Sequence, residues 1–201
     1  MTLTELLTLL STALSVEEID SKRKEIAELL PPVRCMFDFD QEHEAHQYDL
    51  WFHSIHTVVN LPGDINDAML YLAALLHDIG KPDCKVWENG AVHFYRHPER
   101  SMEIVRDEVL PALVKRGYSF SEDDKKRLFY YVEYHDEKIT KPEQLQKQLE
   151  IATFAEFQNL MQLQAADAKA HVLLPRIEEK IERCEQMAGE YGRELYERLL
   201  K

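Results

Sequence analysis

Residues 73–82 read AALLHDIGKP. An apolar run ends there in His77-Asp78 and breaks at Gly80 and Pro82, with Lys81 between them. Upstream, LPGD makes a turn, and the apolar spacing predicts a helix over 65–78. Gly80 reads as the C′ residue, so His77 and Asp78 fall in the last turn, where free carbonyls carry partial negative charge. A cation is favoured at such a place, and an imidazole beside a carboxylate suits a divalent transition metal. The same pair also fits a helix end whose histidine is satisfied by core neighbours. The dipeptide alone leaves both readings open.

Helical periodicity dominates the rest of the chain. Thr2 with Glu5, and Ser15 with Glu18, have capping-box spacing, which predicts helices at about 2–12 and 16–30. Pro31-Pro32 ends the second. The segment HEAHQYDLWFHSIHTVVN at 43–60 repeats apolar residues at helical spacing. The stretch CKVWENGAVHFYRH holds the β signal: two short runs flank Asn89-Gly90, predicting a hairpin at about 85–94. Further helices are expected at roughly 98–115, stopped by Gly117, and at 122–135, capped by Ser121. Three more follow near 142–149, 153–171 and 175–199. The expected fold is all-α, a helical bundle carrying one short hairpin in a single domain. The apolar faces Leu3-Leu6-Leu7-Leu10 and Val16-Ile19, and the charged carboxyl-terminal helix, are core cover or the contact of a homodimer.

Bulk composition narrows the function classes. With 201 residues the chain can bury a sizeable core. Its formal charge of −13 argues against a nucleic-acid backbone as main partner, since such binding leans on clustered Lys and Arg. A small phosphorylated substrate held by two or three local cations stays open. Cys35, Cys84 and Cys184 are far apart and odd in number, neither a disulfide framework nor a zinc pair. The start MTLTELLTLL lacks a basic signal-peptide head, and MLYLAALL at 69–76 is too short to span a bilayer. No membrane partner and a cytoplasmic location are expected.

The remaining histidines and acids are weighed one by one. His53 and His56 lie three apart on one helix face, and His46 falls seven before His53 on nearly the same face. Any of these could reach a metal or sit on the surface. HEAH at 43–46 is one residue short of a zinc-protease HExxH, which swings its second histidine about 100° round a helix. His97 follows the hairpin in FYRHPERS, and His135 closes a helix in YYVEYHDE. Asp167 interrupts the small, apolar face of LMQLQAADAKAH, and a mid-helix acid there is costly to bury unless paired or ligated. His171, one turn later, is a rival ligand or a supporting residue.

Taken in order, YDLWFHSIHTVV, LAALLHDIGKP, FYRHPERS, YVEYHD and AADAKAH resemble the HD-domain superfamily of metal-dependent phosphohydrolases. The likeness is closest to the HD region of bacterial tRNA nucleotidyltransferases. It covers about 45–171, leaving a helical extension over 1–40 and a carboxyl-terminal helix over 175–201. The 45 or so upstream residues hold no Gly-Ser loop with paired carboxylates, so nucleotide addition to tRNA is not implied. Arg96 stands where such sequences carry glycine before the histidine, which could add a phosphate contact or narrow the pocket.

The resemblance implies a phosphomonoesterase or phosphodiesterase that uses metal-activated water on a nucleotide or other small phosphoester. His53, His77, Asp78 and Asp167 would hold the primary ion. Asp78 could bridge to a second ion held by His97 and His135; with one ion, either histidine would be free as general acid. Lys81, and more weakly Arg96, would meet phosphate oxygens. Imidazoles with two carboxylates suit one or two ions of manganese, iron, cobalt, nickel or zinc better than magnesium. Two rival classes stay in view. One is a non-catalytic HD module that binds a nucleotide or metal as a sensor, which would show a damaged ligand set. The other is a helical adaptor whose histidines hold no metal.

Overall fold

A computed structural model describes residues 1–42 and 44–201. His43 falls outside the described residues, and the HEAH reading falls there with it. Thr2 caps α1 (Leu3–Thr12) as its spacing predicts: its hydroxyl accepts from the Glu5 N–H while the Glu5 carboxylate accepts from the Thr2 N–H. The helix expected over 16–30 is instead two, α2 (Val16–Asp20) and α3 (Arg23–Leu29), followed by a 3₁₀ stretch over Pro31–Met36. Ser15 makes no side-chain cap bond. The break lets Ile19 and Ile26 both bury fully, and it places the Asp20 carboxylate 2.8 Å from the Trp51 indole N–H that donates to it.

Asp49 starts α4 (Leu50–Val59) by accepting from the Phe52 N–H at 2.7 Å. His46 therefore precedes the helix, and the face it was expected to share with His53 does not exist. The helix of the opening stretch is α5 (Ala68–Leu76), which begins later than predicted because Asp67 caps it. Every residue from Met69 to Leu76 is buried. A helix that is apolar all round belongs at the centre of a bundle, and α5 packs against α1 and α4. Leu3, Leu6 and Leu10 join the same core cluster as α5.

Beyond α5 come a short α6 (Lys81–Cys84) and the hairpin, β1 (Lys85–Glu88) and β2 (Ala91–Phe94), paired antiparallel from Lys85–Phe94 to Glu88–Ala91. Asn89 and Gly90 both take positive φ, as a two-residue hairpin turn of this hand requires. Next, α7 (His97–Ile104) passes through a π turn at Val105–Val109 into α8 (Leu110–Lys115). Pro111, which has no N–H to donate, sits just past that turn. The bundle closes with α9 (Glu122–Tyr134), α10 (Pro142–Leu149), α11 (Phe154–Lys169), α12 (Pro175–Ala188) and α13 (Glu190–Leu199). The single helix expected over 175–199 is thus broken at Gly189. The turn is tight: a Cβ on Gly192 would lie 1.9 Å from the Met187 carbonyl oxygen. No helix among the described residues is long and apolar enough to cross a membrane.

One buried polar knot holds α5 to its neighbours. Asp67 accepts from the Met69 N–H at 3.0 Å, the Tyr131 hydroxyl at 2.8 Å and the Arg127 guanidinium at 2.8 Å. Asp67→Ala would remove the cap and the acceptor of the buried Tyr131 hydroxyl, while Arg127 keeps Asp123 and Asp124, a loss expected to cost about 2–4 kcal/mol. Urea unfolding checks this; a change below about 1 kcal/mol, the scale of an exposed pair, would show the knot to be peripheral.

Candidate metal centre

The fold delivers the carboxyl-terminal ends of three helices to one place. His77 is the C-cap of α5, His135 is the C-cap of α9, and Asp167 lies in the last turn of α11. His53 comes from the first turn of α4, and His97 is the first residue of α7. Helix ends carry free carbonyls and negative potential, so their convergence favours a cation between them.

The side chains form two sets that share Asp78. On one side, His53 Nε2 lies 3.3 Å and His77 Nε2 3.2 Å from Asp78 Oδ2, while Asp167 Oδ1 is 3.1 Å from His53 Nε2. On the other, His97 Nε2 lies 3.1 Å and His135 Nε2 3.3 Å from Asp78 Oδ1. Each oxygen of Asp78 therefore serves a different pair of imidazoles. His53, His77, Asp78 and Asp167 are each at most 5 % exposed.

The tautomers are set by the backbone. Nδ1 of His77, His97 and His135 lies 2.7–2.9 Å from the carbonyl three residues earlier, those of Ala74, Phe94 and Val132. A carbonyl only accepts, so Nδ1 carries the proton and the lone pair of the neutral ring sits on Nε2, facing inward. Among the described residues, His53 Nε2, His77 Nε2 and Asp78 Oδ1 make no hydrogen bond although sealed from solvent. Buried nitrogen and oxygen atoms are seldom left so. Convergent Nε2 and carboxylate atoms that lack hydrogen bonds fit a divalent transition ion, and one or two ions can be held by the two sets.

Electrostatics give the same picture. Burial opposes charge on His77, yet Asp78 and Asp167 raise its pKa to about 10. Burial likewise works against the Asp78 carboxylate, which His77 and Lys81 hold well below the usual range; Lys180 and His171 do the same for Asp167. Burial pushes His135 down, and it pushes His171 down to about 4. Asp78 and Asp167 thus favour positive charge at His77, where a cation would sit.

A cavity of about 310 Å³ opens beside the two sets, with Lys81, His93, Tyr95, His97, His171 and Lys180 among its lining residues. The hairpin forms one wall, and the rings of His93 and Tyr95 stack on it at 5.2 Å. Lys81 is buried, with Nζ 2.7 Å from Asp78 Oδ2 and 2.8 Å from Gln41 Oε1.

Some expectations need correction. Gly80 does not take the left-handed C′ conformation; its φ is −82°. Glycine is required there because a Cβ would lie 2.6 Å from the Ser101 backbone nitrogen, on α7. The Gly80 N–H donates to the Ser101 hydroxyl at 2.9 Å, fixing the turn after the His-Asp pair. Arg96 does not reach the cavity. Its side chain is 81 % exposed and lies 3.6 Å from Glu99. It occupies the left-handed region at φ 60°, where glycine is the relaxed choice. Arg96→Gly is therefore expected to leave metal content unchanged and stability within about 1 kcal/mol, since relieved strain offsets added chain entropy. Metal analysis and thermal unfolding check it; a collapse of substrate affinity would restore the phosphate contact.

His56 stacks on Tyr48 at 4.1 Å and joins neither set. His46 reaches the site from the loop before α4, its ring 5.3 Å from His53 and 4.5 Å from His171. Three residues that sequence reasoning missed support the site. Gln41 braces Lys81. Gln164 donates to the Tyr134 and Glu137 carbonyls at 3.0 and 2.9 Å and so anchors the turn bearing His135. Lys180 lies 3.0 Å from Asp167 Oδ2. No local motif marks any of them, because each contact spans distant parts of the chain.

The sequence pattern of the HD domain matches residues 51–168, more than half of the chain. The chain belongs to the HD-domain family. The matched span contains His53, His77, Asp78, His97, His135 and Asp167, and stops before Lys180. No curated protein and no solved structure shows significant similarity to this HD-domain chain.

Proposed function

We propose that this HD-domain protein is a metal-dependent phosphohydrolase acting on a small phosphoester, with His53, His77, Asp78 and Asp167 holding one divalent ion and Asp78, His97 and His135 a second. One observation carries the reading: two donor sets meet on the opposite oxygens of a single buried carboxylate, beside a cavity of substrate size. Bound divalent ions supply a nucleophile at neutral pH and positive charge against the phosphoryl oxygens. The chain does the rest. Nδ1–H bonds to backbone carbonyls hold the imidazoles of His77, His97 and His135 with Nε2 inward, so these three rings are oriented before binding. Gln41 keeps the Lys81 ammonium at the cavity wall, where it would meet a phosphate oxygen as a point charge. If the second set holds no ion, His97 Nε2 lines the cavity and would carry a proton to the leaving oxygen.

A nucleotide is the substrate class we favour. The stacked His93 and Tyr95 rings at the cavity offer a flat apolar surface next to cations, and a nucleobase stacks on such a surface at about 1–3 kcal/mol. The test is elemental analysis of untagged protein purified without chelator, then turnover of an aryl phosphate diester, an aryl monoester and a nucleotide panel. Stoichiometric metal with chelator-sensitive phosphate release is expected. Metal without turnover would make the protein a binding module instead. Metal-free protein whose melting temperature ignores added manganese or iron would overturn the reading.

A further inference from the structure

Lys180 has no part in the proposed hydrolysis. It belongs to α12, beyond the matched family span, yet its Nζ lies 3.0 Å from Asp167 Oδ2 and 3.3 Å from Asp136 Oδ1. The other oxygen of Asp167, Oδ1, is the one that faces His53 and His77. Lys81 stands in the same relation to Asp78, though on the ligand oxygen itself, at 2.7 Å. Each buried carboxylate of the first donor set thus carries its own ammonium, and both lysines line the cavity.

We infer that Lys180 is a positioning residue for the metal ligand Asp167. By holding Oδ2, it leaves Oδ1 turned toward His53 and His77, where the ion would sit. This rests on the metal reading of the site but not on catalysis.

The alternative is that Lys180 merely staples α12 to α11. A control for that is close by: Lys169 on α11 and Glu185 on α12 form another bridge between the same helices, at 2.7 Å, half-exposed and with Glu185 outside the donor sets. Four full-length proteins decide between them: wild type, Lys180→Met, Lys180→Arg and Glu185→Gln. The reading is manganese or iron affinity by calorimetry on protein shown by circular dichroism to be folded. Lys180→Met is expected to lose about 10–100-fold in affinity, as partners that orient a ligand typically do. Lys180→Arg should recover most of it, and Glu185→Gln should match wild type.

Equal affinity in wild type and Lys180→Met overturns the inference, as does an equal loss in Glu185→Gln. If Lys180→Met does not fold, Lys180→Gln carries the test with the same expected direction, and undiminished affinity there overturns the inference too. Metal-free wild type would sink the metal reading and this inference together. Wild type that binds metal without turnover would sink only the hydrolase reading.

Discussion

Replacing Asp78 with alanine is expected to remove bound metal and phosphoester hydrolysis together. Asp78 is the one side chain shared by both donor sets, with four imidazoles and Lys81 within 2.7–3.3 Å of its oxygens. Its loss should exceed the ~10–100-fold typical of residues that only support a ligand. The variant also leaves Lys81, buried at 5 % exposure, without its counter-charge. Breaking a buried pair by removing one partner costs about 3–5 kcal/mol, so part of the effect will be on folding. Asp78→Asn separates the two: it keeps the shape and still loses the anionic ligand. Elemental analysis and phosphate release on the folded fraction decide the matter. Full retention of either metal or activity in Asp78→Asn would break the assignment.

The second large effect is on pH. In the metal-free protein the His77 pKa is raised from 6.5 to about 10, mainly because Asp78 and Asp167 outweigh burial. A raised folded value means that its stabilising contribution is complete below about 6.5 and fades as pH climbs through about 10. Asp78 and Asp167 have the opposite sign. Their lowered values stabilise the fold above the ordinary carboxylate pKa of 3.8 and cease to do so as acid protonates them. A metal ion needs the lone pair on His77 Nε2, so binding must displace that proton. Affinity is therefore expected to rise about tenfold per pH unit between roughly pH 7 and 9, with close to one proton released per ion at the first set. Calorimetry in two buffers of different ionisation enthalpy counts the protons. A flat affinity over that window, with no proton released, would show that His77 is neutral in the empty site and that the two carboxylates do not act on it as the geometry implies.

Much of this molecule was legible before any coordinates. The hairpin at 85–94 follows from Asn89-Gly90, since both turn residues need positive φ. The capping box at Ser121 and the stop at Gly117 mark helix ends through local hydrogen bonds and local backbone freedom. Where the reading failed, a distant contact decided. The helix over 16–30 breaks where its two halves must turn to reach the core, and the one over 175–199 folds back at Gly189. Gly80 is glycine because of α7, not because of its own dihedral angle.

The site divides along the same line. Periodicity placed His77 and Asp78 at a helix end and showed Asp167 to be costly where it lies, because both facts depend on residues within a few turns. The sequence by itself thus determined the fold class, the helix end at which His77 and Asp78 stand, and the family. That His53, His77, His97 and His135 meet on two oxygens of Asp78 while Asp167 faces His53, that Arg96 turns away, and that Gln41, Gln164 and Lys180 hold Lys81, the turn bearing His135 and Asp167 belongs to the tertiary structure alone. Such contacts join residues tens of positions apart, and only packing around α5 brings them within a few ångströms.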